Sequence, residues 1–302
     1  MSKFWLWDFY WNHRETRRSP ENYAAYVRKF AAEPQSVYYL QNSAKAGAYP
    51  EGPDDGWRYK FERLPVHDKL LNAYKLDKIA GQGDTFTRAL RVMGWLTAHT
   101  WYCGMSFWSI RFNDSYFSGK RFTSLHLLRW AYDKPFSRSI NCGHKAYLLA
   151  DCLLAAGISA IPVSFQNYVW QEGEADVTPR PNHSVAHVWL PEESRWVMLD
   201  PSMDSYIADD AGRALNLVEI QERHRQGKEL RVAQYNFNGS QDGKQEYLES
   251  FVLGSLLEIM VEDGTRRNGF LRNLLLPEGV PKKSEKRRAI TAAELLAEPM
   301  ME

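Results

Sequence analysis

Apolar positions along the chain switch between a helical and a strand period, and the switches mark its elements. Over 139–157 (SINCGHKAYLLADCLLAAG), Cys142, Ala146, Leu149 and Leu153 recur at helical spacing, with Asn141 or Ser139 as N-cap and Gly157 as the stop. Residues 158–165 form a β-rich run, and an irregular, Pro- and acid-containing segment is expected from there through about Asn182. The runs 183–190 (HSVAHVWL) and 195–201 (RWVMLDP) alternate on either side of a polar break at 191–194, which reads as a β-hairpin. Upstream, 19–33 looks like a capped helix and 64–83 like a helix ending at a glycine pair. Asp84 or Thr85 caps a further helix with Phe86, Leu90, Met93 and Thr97 on one face, and 123–132 forms another. Downstream, helices are expected over 216–228 and 247–262, with a marginal one in TAAELLAE near the end.

Chemistry enters at the cysteine. Cys142 falls in the first turn of its helix, where the dipole favours the thiolate and free N–H groups offer an oxyanion site. A small buried hydrophobe is the plainer reading of a free cysteine. If Leu190 pairs with Arg195, His187 lies opposite Met198, and Asp200 becomes its diagonal neighbour on the same face. A one-residue slip would turn Asp200 to the other face. His187 would then hold the thiolate as an ion pair and protonate the leaving group, and Asp200 would fix the imidazole tautomer. Taken singly, His187 reads as a satisfied strand residue and Asp200 as a turn residue before Pro201. In this order and register, Cys142, His187 and Asp200 point to a thiol catalytic triad.

The other histidines fit less well. His144 follows Cys142 by two residues, so on a helix it points about 200° away. His183 shares a strand face with His187, but four strand residues span about 13 Å, so HSVAH cannot chelate a metal as a helical HExxH does. His183 reads as a solvent-facing residue at a strand start, with a place at the border of the cleft as the alternative. No metal and no cofactor is expected.

A chain of 302 residues makes one large domain or a core with elaborations. With 38 basic and 37 acidic residues, no global field draws it to nucleic acid or to a membrane surface. Cysteines 103, 142 and 152 have no metal-ligand spacing and leave one over in any disulfide scheme, which favours a reducing compartment. No apolar run of about 18 residues occurs, and the aromatic N-terminus (MSKFWLWDFYWNHRE) does not read as a signal peptide. A cytoplasmic location is therefore expected. Its six aromatics, from Phe4 to Trp11, form a docking arm, a cleft wall or a packed element; PKKSEKRR at 281–288 reads as a solvated tail.

NCGHKAYLLADCLLAAGISAIPV, HSVAHVWLPEESRWVMLDPSMD and the distance between them resemble the transglutaminase-like superfamily, papain-related enzymes with Cys–His–Asp order. The resemblance covers roughly 84–265. It includes DTFTRALRVMGWLTAHTWYCG before the nucleophile segment and DSYIADDAGRALNLVEIQERHRQGKEL after the aspartate, which looks like bacterial members of unknown role. It implies an α+β papain-like core, a nucleophile helix packed on an antiparallel sheet, over 84–265. A mostly helical N-terminal elaboration would occupy 1–83, and a C-terminal extension with a basic tail 266–302. It also implies Cys142, His187 and Asp200 as the family's catalytic residues, and Trp108 as a candidate for the oxyanion hole or acyl site. No DxDxDG calcium loop is present and the chain is too short for the flanking β-domains of the animal crosslinking enzymes. The expected activity is a Cys142 thioester, formed from a peptide, protein or other amide-containing substrate and resolved by hydrolysis. Transfer to an amine, in crosslinking or in tailoring of a peptide or carrier-bound substrate, and a non-catalytic peptide-binding module on the same fold are the alternatives.

Overall fold

In the computed structural model, residues 58–102, 123–133, 138–169, 178–253, 258–262, 272–275 and 291–301 are described. The elements run β1 (Lys60–Phe61), α1 (Pro65–Tyr74), α2 (Leu76–Ala80), α3 (Thr85–His99), α4 (Ser124–Ala131) and α5 (Cys142–Ala155). They continue with β2 (Ala160–Val169), β3 (Thr178–Leu190), β4 (Arg195–Leu199), β5 (Tyr206–Ala208), α6 (Leu217–Arg225) and β6 (Arg231–Gln234). Next come α7 (Lys244–Glu246), which runs into a π-helical turn (Tyr247–Leu253), then β7 (Glu258–Glu262), β8 (Arg272–Leu275), α8 (Ala292–Leu296) and β9 (Met300–Met301). Five of the strands form one sheet in the order β4-β3-β2-β7-β8, with antiparallel pairs throughout.

Helix α5 is the pivot. It packs along β2 and β3, and α1, α3 and α4 pack on it in turn. Its apolar residues Leu148, Leu149, Cys152 and Leu153 join Ala186, Val188 and Leu190 of β3 and Val197 and Leu199 of β4 in one cluster. Each buried leucine there contributes on the order of 1.5–3 kcal/mol. Strand alternation sends Val185 and Trp189 of β3 to the opposite face. There they form a second cluster with Phe165, Trp196, Met198, Leu217, Ile220 and Tyr247. Cys142 belongs to this second cluster. The first turn of α5 thus ends at the face on which the odd-numbered residues of β3 project. The indole N–H of buried Trp196 donates to the Ala297 carbonyl at 2.9 Å, tying the α8 segment to this side.

The hairpin register is the one expected. Leu190 pairs with Arg195 and His187 with Met198. Elsewhere the chain differs from its sequence pattern for identifiable reasons. The helix over 64–83 is broken at Lys75, whose left-handed φ of 56° separates α1 from α2. The irregular segment before Asn182 is shorter than expected, because β2 and β3 extend as paired strands to Val169 and from Thr178. The helix expected over 247–262 is a π-helical turn followed by β7, since Ile259 and Met260 pair with Phe165 and Ser164. Leu70, Leu76 and Ala80 lie in the same cluster as Leu148, so 65–80 shares a core with α5. The helix at 19–33, the N-terminal aromatics and the basic stretch at 281–288 lie outside the described residues.

Helix α5 stops where a left-handed residue is required. Gly157 has φ 77°, and the amides of Gly157 and Ile158 close on the carbonyls of Leu154 and Leu153 at 3.1 and 2.8 Å. A Cβ at this position would meet nothing within 4 Å, so the constraint is one of backbone conformation alone. Gly157→Ala is therefore expected to cost about 1 kcal/mol, and Gly157→Asn clearly less, in urea unfolding at constant m-value.

Candidate active site

Asn141 caps α5: its side-chain oxygen accepts from the His144 amide at 2.9 Å, which seats Cys142 as the first helical residue. The Cys142 thiol is almost wholly buried, and the His183 imidazole and the Ser184 backbone N–H are the neighbours that favour its charged form. His183 donates its Nε2–H to Asp200 Oδ2 at 2.6 Å. With Nε2 spent on the carboxylate, Nδ1 is the ring nitrogen left for exchange with the thiol. Asp200 is fully buried; its Oδ2 also accepts from the Tyr247 hydroxyl at 2.8 Å and its Oδ1 from the Ser202 amide at 2.8 Å.

Cys142 and Asp200 are thus brought together as the sequence suggested, but the imidazole between them is His183. The expected pairing of His187 with Asp200 does not form. Given the observed register, Asp200 falls opposite Val185, so His183 and His187 are both its diagonal neighbours. The start of α5 lies at the Ser184 end of β3, which selects His183. At the other end, the Leu217 amide at the start of α6 donates to His187 Nε2 at 3.3 Å. His183 is also fully buried, not the solvent-facing residue its place at the strand start implied. Its edge-on contact with Phe165, the β2 residue opposite, closes one side of the ring. Trp108 and Cys103 lie outside the described residues.

The electrostatics separate the two imidazoles. Burial works against a charge on His183, but the Asp200 carboxylate and the Cys142 sulfur raise its pKa from 6.5 to about 10. His187 has no such partner, and burial pushes its pKa down to about 3, so it is a neutral ring. For Cys142, burial favours the thiol, yet the neighbouring His183 and the Ser184 amide hold the pKa below the usual thiol value. Burial likewise opposes the Asp200 charge, and His183, Tyr247 and Ser202 together hold its carboxyl below the ordinary range. Cys152, ten residues on, is pushed well up by burial and is an inert core thiol.

A second buried His–carboxylate contact shows what a purely structural version looks like. His67 Nε2 meets Asp151 Oδ1 at 3.3 Å and His67 Nδ1 accepts from the Leu64 amide at 3.1 Å. Both ring nitrogens serve the scaffold, linking α1 to α5. Tyr247 carries no signal in the sequence, because it reaches Asp200 from a segment that reads as an apolar helical stretch.

No family model matches the chain and no curated protein matches it. Among solved structures, the chain is similar to a candidate cysteine protease from Cytophaga hutchinsonii at 12% identity and a TM-score of 0.29, over 56% of this chain and 42% of that one. It is similar to the periplasmic domain of TgpA from Pseudomonas aeruginosa at 17% identity and a TM-score of 0.29, over 63% of this chain and 51% of that one. The chain thus matches about half the length of either. Likeness at this level assigns neither a reaction nor a compartment. Among the described residues no helix is long and apolar enough to cross a membrane.

Tyr247→Phe removes one hydrogen bond to a buried carboxylate and should cost roughly 1.5–3 kcal/mol at pH 7. The lowered Asp200 pKa makes its contribution fully present above the ordinary 3.8 and lost as pH falls through the lower folded value. The variant raises that folded value, so its deficit in urea unfolding should be full at neutral pH and shrink below about pH 4.

Proposed function

We propose that the chain is a thiol enzyme of the transglutaminase-like, papain-like type, with Cys142 as nucleophile, His183 as acid and base, and Asp200 as the group that orients and charges the imidazole. The observation that carries this reading is the buried cluster at the start of α5, in which the imidazole that acts on Cys142 is held to Asp200 Oδ2 by a 2.6 Å charge-assisted bond. A raised imidazole pKa beside a lowered thiol pKa is the arrangement of a thiolate–imidazolium pair. His187 is set aside, since a neutral ring engaged by the Leu217 amide has no charge to lend.

The Cys142 thiolate attacks the carbonyl carbon of an amide or peptide. The N–H groups of Cys142 and Gly143, which have no acceptor within the helix, face the oxygen on which charge develops. His183 gives its proton to the leaving nitrogen, the C–N bond breaks, and a Cys142 thioester remains. Water then attacks the thioester, His183 takes its proton, and the carboxylic acid and the thiolate are released. Transfer to an amine would use the same residues up to the thioester; water requires no second binding site, and hydrolysis is therefore the proposed outcome. Trp108 is retained as a candidate lining residue of the acyl site.

The test is the pH dependence of Cys142 alkylation by iodoacetamide, followed by intact mass and peptide mapping. Wild type and His187→Ala should label rapidly near pH 6. His183→Ala should label there about a hundredfold more slowly, as an ordinary thiol with pKa near 8.5 does. Loss of low-pH labelling in His187→Ala with retention in His183→Ala would reverse the assignment.

A further inference from the structure

Lys145 sits one turn after Cys142 on α5, and its side chain is fully buried. Its ammonium has no hydrogen-bond partner among the described residues. An isolated buried ammonium is among the costliest groups to place in a protein interior, and methionine would fill the same space without charge. What faces Lys145 is the loop after β4. Asp200 and Asp204 both bring negative charge to it. The backbone of Asp200 and Ser205 closes that loop with paired hydrogen bonds of 2.8 and 3.0 Å, and Asp204 adopts a left-handed φ of 44° within it. Asp204 is held from β6 by Gln234 and lies against α3 at Gly94, while its Oδ1 has no hydrogen-bond partner among the described residues. On the far side, Asp200 is taken up by His183 of β3 and by Tyr247. Lys145 is thus a fully buried cation one turn along α5 from Cys142, on the same side of the helix, and within the field of Asp200.

We propose that Lys145 is a positioning residue of the thiol site: its buried charge, one turn along α5 from Cys142, lowers the pH limit below which Cys142 ceases to be a thiolate. This rests on the reading of Cys142, His183 and Asp200 as the reacting set. A thiolate, an imidazolium and a carboxylate in one buried site leave one negative charge over, and Lys145 supplies the balancing positive one. Removing it raises the proton affinity of every group it faces. Burial brings the Lys145 pKa from 10.5 down to about 7, against the opposing pull of Asp200 and Asp204. The cation is thus present on the acid side, where the thiolate needs it, and fades above neutrality, so the alkaline limit set by His183 moves little.

The experiment is the alkylation profile of Cys142 in the full chain, for wild type, Lys145→Met, Lys145→Arg and His183→Ala. Lys145→Met should move the acid limb up by about one pH unit, making labelling below the limb about tenfold slower. The plateau rate and the alkaline limb should stay in place, and Lys145→Arg should stay close to wild type. A Lys145→Met profile that superimposes on wild type while His183→Ala is shifted would overturn the role of Lys145 and leave the thiol reading standing. A His183→Ala profile that superimposes on wild type would remove the thiol reading and this inference with it. Should Lys145→Met not fold, the coupling is read on the wild-type lysine by carbon-13 NMR of its Cε. That resonance should show a step in the pH range where labelling begins, absent from Cys142→Ser; identical Lys145 titrations in the two proteins would overturn the proposal.

Discussion

The site depends on keeping one fully buried carboxylate ionised. Asp200 is fully buried, and an isolated charge there would cost several kcal/mol. Three donors from three parts of the chain offset that cost: His183 on β3, Tyr247 on the π-helical turn and the Ser202 amide two residues along the same loop. Because they arrive from separate elements, the carboxylate is satisfied only when the sheet, the turn and the loop are all in place. In the proposed reaction its charge then holds a proton on His183, and that imidazolium holds Cys142 as a thiolate. Fold and reactivity are joined at this one group.

The sequence was most legible where a period meets a turn. Cys142 at a capped helix start, Gly157 at its stop and the pairing of Leu190 with Arg195 are all local matters of capping, conformation and alternation. The choice between His183 and His187 is different, because strand register alone makes both of them neighbours of Asp200. Helix length resolves it. The fourteen residues of α5 rise about 21 Å back along β2, which equals about six strand residues. Counted from Ala160, that brings Cys142 level with Phe165 and Gln166, whose partners on β3 are His183 and Asn182. His187, paired with Ile161, belongs to the other end of the helix.

What was not legible is what arrives from far along the chain. Tyr247 reaches Asp200 across 47 residues, and the apolar run that follows it forms β7 because an open edge of β2 needs a partner. Lys145 carries no signal in the sequence, and only the fold shows that it is fully buried one turn from Cys142, with Asp200 and Asp204 as the charges that act on it. A buried cation next to a buried ion pair favours reactivity over stability, as an apolar residue would pack there at lower cost.

The most direct measurement of the central claim is nitrogen-15 NMR of the histidine rings in the native chain at pH 8. His183 should show both ring nitrogens protonated, with the charge lost only towards pH 10, while His187 remains neutral throughout. In Cys142→Ser the His183 step should move to lower pH, since the thiolate no longer supports the charge. A His183 ring that is neutral at pH 8 and indifferent to Cys142→Ser would contradict the thiolate–imidazolium pair, and with it the assignment of Cys142 as a nucleophile.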